Sequence, residues 1–111
     1  MTRRSGPLFH VALPEDWDEA LRSGCYVMST RGQTVAEVGF AHLAYEHQCA
    51  GVLERYYADR PDALVLLVDP TLLVDAVKDE ASVEGGEAFP HLYGALPIHA
   101  VIAQMEACDM R

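Results

Sequence analysis

The chain has 111 residues, half of them hydrophobic, with 17 acidic against 8 basic side chains and a formal charge of -9. That length carries one domain, with a modest core expected over about residues 8–105. The basic residues Arg22, Arg31, Arg55, Arg60 and Lys78 are scattered, and Arg3 and Arg4 sit at an end expected to fray; nucleic-acid binding draws much of its affinity from a concentrated cationic surface, so nucleic acid is excluded as a partner.

In chain order, Leu8 to Ala12 is an apolar run after Gly6-Pro7 and predicts a first strand. Pro14 suits the first turn of a helix, and Glu15, Asp16 and Asp18 favour its positive end. Trp17, Ala20 and Leu21 form an i, i+3, i+4 stripe, and Gly24 stands where a C-terminal cap belongs, so a helix is expected over Pro14 to Ser23. From Cys25 to Val38 the chain is polar and punctuated, with one helical turn at Thr34 to Glu37. Gly39 to Ala44 predicts a second strand. Glu46 to Tyr57 has helical spacing through Cys49, Val52, Leu53 and Tyr56. Ala63 to Val68 is continuously apolar, as a central strand buried on both faces should be.

Asp69-Pro70 turns the chain, Thr71 to Leu73 reads as a helical turn and Asp75 to Asp79 as a strand, followed by a charged loop over Ala81 to Gly86. Glu87 to Pro97 packs two aromatics, a histidine, a carboxylate, a glycine and two prolines into one stretch. It is too apolar for a surface loop and too rich in Pro and Gly for a plain core strand. An irregular, semi-buried segment is expected, the kind that often carries functional side chains. The plainer alternative is a short edge strand with an aromatic plug. Ile98 to Met105 alternates as a last strand, a helix being the other option. The pattern is α+β: a small split β-sheet with two main helices.

The three cysteines, Cys25, Cys49 and Cys108, are odd in number and lack CxxC spacing, which fits reduced thiols used for packing in a cytoplasmic protein. No apolar run approaches a membrane span and no signal core stands at the N-terminus, so no membrane partner is expected. The sequence does not set the oligomeric state.

Three histidines have apolar neighbours: His10, His42 and His91. Each taken alone reads first as a satisfied structural histidine. Three in separate apolar elements of a small core point to a shared cleft. A catalytic zinc site needs three protein ligands and an open position, but no HxH, HExxH or close pair pre-forms one, so no metal is assigned. Among the carboxylates, Glu87 is tied to the central stretch and Glu80 is its rival. No GxSxG, P-loop or dinucleotide fingerprint is present.

These residues resemble a family of small bacterial proteins known as a domain of unknown function. The matching motifs are Phe9-His10, Trp17, Gly39-Phe40-Ala41-His42, Gln48, the run Leu64 to Pro70, and Gly86-Glu87-Ala88-Phe89-Pro90-His91-Leu92-Tyr93-Gly94-Ala95-Leu96. The first half further resembles the ADP-ribosyltransferase-like fold of RNA 2'-phosphotransferases, through His10, the Trp17 helix, Gly24 and Ala41-His42-Leu43-Ala44. That resemblance implies a cleft for NAD, as substrate or ligand, or for an ADP-ribose-type nucleotide. His10, His42 and Glu87 would be the catalytic candidates, and His91, Tyr93, Phe40 and Trp17 would contact the ligand. Breaking a ribose–nicotinamide bond builds oxocarbenium charge that a carboxylate stabilises. The chain departs from the pattern at Ala44, where the resemblance calls for serine, and in lacking a matching arginine set. Both departures favour the alternative of a non-catalytic small-ligand or peptide-binding module.

Overall fold

The computed structural model describes residues 6–81 and 84–110; the Arg3-Arg4 pair and positions 82 and 83 of the expected acidic loop lie outside them. The described residues form an α+β structure with eight strands in three small sheets. Strand β1 (Leu8–Ala12) leads through Leu13 into helix α1 (Pro14–Ser23), which matches the expected bounds. Gly24 closes the helix with φ +88°, a left-handed conformation that costs glycine little.

The polar stretch that followed was expected to hold one helical turn. It also holds a hairpin of β2 (Met28–Thr30) and β3 (Gln33–Thr34). Helix α2 (Val35–Val38) is the expected turn, held by a capping box between Thr34 and Glu37. The second strand is shorter than expected: β4 covers only Ala41–His42. A one-turn 3-10 helix at Glu46–Gln48 then runs into α3 (Cys49–Tyr56). Helices α1 and α3 are the two main helices expected, and α2 is a single turn between them.

Strand β5 (Leu64–Val68) is the expected central strand, antiparallel to β1 on one side and to β8 (Val101–Glu106) on the other. Strand β6 (Val77–Ala81) follows a 3-10 turn at Pro70–Leu72. Strand β7 (Ala88–Leu92) runs through the segment expected to be irregular. It is not an edge strand either, because it lies between β4 and β6. The last apolar run divides into a 3-10 turn at Ile98–Ala100 and β8.

Register explains why a central strand tolerates Pro90. Ala41 pairs with Leu92 and His42 with His91, and the next amide, Leu43 N–H, donates to the Pro90 carbonyl at 3.0 Å. Proline has no N–H to return that bond. The ladder ends there and the chain crosses to the other sheet, where Ala44 and Phe9 exchange both backbone bonds at 2.7 and 2.8 Å. The sheet is therefore split where the proline withholds its donor.

Two apolar clusters flank the β1-β5-β8 sheet. Alternation along β1 sends Leu8 and Ala12 to one face and Phe9 and Val11 to the other. The first face packs on Trp17 and Ala20 of α1 and on Ala41, Leu92 and Leu96; the second packs on Cys49, Leu53 and Tyr57. Two stripe assignments change. Leu21 is 55% exposed, so α1 buries only Trp17 and Ala20, and Tyr56 is 56% exposed while Tyr57, just past the end of α3, turns inward. Of the cysteines, only Cys49 packs; Cys25 and Cys108 are exposed.

Candidate functional site

A cavity of about 360 Å³ lies between β1, the β2–β3 hairpin, the β4 crossing and α3. His10, His42 and His91 all border it, together with Arg31 from the hairpin turn. Phe9, Phe89, Tyr56 and Tyr57 supply aromatic walls, and none of the lining residues is acidic. In a chain with 17 carboxylates, Arg31 is the one formally charged residue among the described lining residues, and Asp59 pairs with it from outside the lining.

His10 is buried with both ring nitrogens engaged. Its Nδ1 donates to the His42 carbonyl at 2.6 Å, and its Nε2 accepts from the Tyr26 hydroxyl at 2.7 Å. A carbonyl only accepts, which fixes the neutral tautomer. Burial is the main reason its pKa falls to about 4, opposed in part by the hydrogen bond to the His42 carbonyl. Tyr26 packs edge-on against both His10 and Trp17, and burial raises its own pKa. His10 thus ties β1 to the β4 crossing.

His42 and His91 face each other across the β4–β7 ladder. In this register they form a non-hydrogen-bonded pair, the kind that brings side chains closest. Their ring centroids are 5.4 Å apart. Buried Ser29 donates to the Phe40 carbonyl at 2.5 Å, so its oxygen accepts from His42 Nδ1 at 2.8 Å. Burial, then the neighbouring His91, lowers the His42 pKa. His91 is 5% exposed, its Nδ1 is 3.0 Å from Glu80 Oε1, and Phe40 stacks on its ring at 4.0 Å. Tyr93 also donates to Glu80, and these two hydrogen bonds, Tyr93's the larger influence, hold the Glu80 carboxyl below its ordinary pKa. Lys78, opposite His91 on β6, lies over the Tyr93 ring.

Of the carboxylates, Glu80 is the one that meets the histidines. Glu87 is exposed and accepts instead from Gln48 at 3.0 Å; Gln48 also donates to the Ala88 carbonyl and accepts from Tyr45 N–H, anchoring the start of β7. Phe40 and Tyr93 support the histidines from behind without lining the cavity. Trp17 sits in the first core cluster and donates to Gln104 at 3.1 Å. Sequence reasoning passed over Ser29, Tyr26 and Arg31. Arg31 is clamped by Asp59 through both guanidinium nitrogens and by the Tyr56 carbonyl, which fastens the hairpin to the end of α3. An Arg-Gly pair between short β-prone runs was the available signal for that turn. Among the described residues, no three His, Cys, Asp or Glu side chains are arranged to hold a metal ion.

The fold is similar to that of protein CC0527 from Caulobacter crescentus. Its crystal structure matches with a TM-score of 0.76 and 25% identity, covering 91% of this chain and 85% of that one. The solution structure of CC0527 matches with a TM-score of 0.72 and 27% identity, covering 90% and 83%. No curated protein matches the chain. The family model described as protein of unknown function (DUF952) matches residues 11–104, more than half of the chain, and the chain belongs to that family.

Proposed function

We propose that this protein binds NAD or an ADP-ribose-type nucleotide in the three-histidine cavity, on a fold related to the ADP-ribosyltransferases, as a cytoplasmic protein. The observation that carries this reading is the convergence of His10, His42 and His91 from three separate strands on one cavity without acidic lining. A wall free of carboxylates suits a ligand that brings its own negative charge, and Arg31, held by Asp59, stands beside it as a hydrogen-bond donor. Phe9, Phe89 and Tyr56 offer the flat apolar surface on which a base or sugar face packs. The cavity is at the small end of ligand sites, so it takes one nucleoside-sized part while the rest of a dinucleotide lies along the rim.

Calorimetry with NAD and with ADP-ribose tests the reading. Saturable binding is expected, weakened at least tenfold in His42→Ala and in Arg31→Ala. No heat and no histidine shifts up to millimolar ligand would reject it.

A second reading, binding without turnover, has its own support. His10 has neither ring nitrogen left for a substrate, and Ala44 stands where the resemblance to the phosphotransferases calls for serine. Release of nicotinamide from NAD above a protein-free control would exclude it and would make His42 and Glu80 the groups to mutate first.

A further inference from the structure

His42 and His91 are anchored the same way, each through Nδ1. The His42 Nδ1–H points at Ser29, whose own proton is given to the Phe40 carbonyl. The His91 Nδ1–H points at the Glu80 carboxylate. A neutral imidazole that donates from Nδ1 carries its lone pair on Nε2. Neither Nε2 has a partner among the described residues, neither is a sealed, unsatisfied atom, and both residues line the cavity. His91 is a side chain more than nine-tenths buried that keeps this one ring nitrogen unpartnered among the described residues. The cross-strand register makes the two rings neighbours, edge to face with centroids 5.4 Å apart.

We propose that the paired Nε2 atoms of His42 and His91 are a two-acceptor site that reads the vicinal diol of a ribose. This rests on the nucleotide reading and names the part of the nucleotide that enters the cavity. Two adjacent acceptors call for a group with two adjacent donors. The candidates are a cationic amine or guanidine, a primary amide and a diol. The absence of carboxylates among the described lining residues disfavours a cation. A primary amide brings a carbonyl acceptor alongside its donors, and that oxygen would face the imidazole lone pairs. A diol presents two O–H groups on an apolar ring whose faces pack on Phe9, Phe89 and Tyr56. Unpaired acceptors in a buried site also discriminate strongly against an analogue that lacks the donors.

The test uses the histidine ring resonances of the whole protein at pH 8, above the ordinary imidazole range. The probes are ADP-ribose, AMP, 2'-deoxy-AMP, 3'-deoxy-AMP, nicotinamide, and methyl β-ribofuranoside with its 2-deoxy analogue. Expected are saturable shifts of His42 and His91 with the diol-bearing probes, and binding at least tenfold weaker for each deoxy analogue. His42→Phe and His91→Phe keep an aromatic ring and should each erase that discrimination; should either fail to fold, the analogue series on the unaltered protein decides alone. Equal affinity for AMP and its deoxy forms overturns the diol site while leaving the nucleotide reading standing. Stronger shifts with nicotinamide than with methyl riboside overturn it in favour of an amide. Shifts with methyl riboside but with no nucleotide keep the diol site and remove the nucleotide reading.

Discussion

A histidine buried with both ring nitrogens in use resists taking a proton, and His10 is in that position: its Nε2 gains one only if the Tyr26 hydroxyl turns from donor to acceptor. Its folded pKa of about 4 lies below the ordinary 6.5, so the unfolded chain binds the proton more readily. Stability from this residue is complete above pH 6.5 and is lost as pH falls toward 4. A shift of that size is worth about 3 kcal/mol in all. Urea unfolding at pH 7 and pH 5 should show most of this loss, and His10→Gln should flatten the slope between the two. The His42 pKa is lowered as well and adds to the slope in the same direction. An unchanged slope in the variant would mean that His10 is not the buried neutral group described here. At this scale the sequence was informative: His10, His42 and His91 were legible as imidazoles in apolar settings and do border one cavity. Of their supports, Glu80 was singled out beside Glu87, but Ser29 and Tyr26 were not legible, because they reach His42 and His10 from β2 and the segment before it, at separations of 13 and 16 residues.

The elements with strong local signals follow the sequence closely. Helix α1 shows Pro14, the acidic first turn and Gly24, and strand β5 is an unbroken apolar run; both stand within a residue of expectation. The weaker ones were decided by tertiary contacts. Strands β2 and β3 are short and polar, and pairing rather than propensity makes them strands. Strand β7 defeats a local reading because Pro90 looks like a breaker, and its missing donor becomes harmless only once the end of β4 is known to lie opposite. The capped turn of α2 ends at Gly39, whose φ of +103° no other residue adopts without strain. Gly39 delivers Phe40 to its stack on His91. Gly39→Ala should cost about 1–2 kcal/mol in chemical denaturation and should move the His91 ring resonances, although position 39 does not touch that ring. A stability loss with no change at His91 would separate the turn from the site.

Across the whole molecule, charge and shape are divided in the same way. Negative charge covers the outside, while the described cavity wall carries no acid. On the outer surface Arg60 pairs with Glu15 and Asp62, and at the cavity edge Arg31 pairs with Asp59; both fasten loops and helix ends to one another. Such exposed pairs contribute little stability each, so the two apolar clusters carry the fold.

The split at Pro90 makes two consecutive amides report on different halves of the protein. Leu43 N–H is held by β7, and Ala44 N–H, one residue later, by β1. Hydrogen exchange at these neighbours compares the opening of the two half-sheets within one molecule. If the halves open as a unit, the two amides share one opening free energy. If the β4-β7-β6 half opens first, Leu43 exchanges faster than Ala44, and a ligand that bridges His42 to the β1 side of the cavity should slow Leu43 most. The chain has placed a pair of clocks on either side of its own seam, one residue apart.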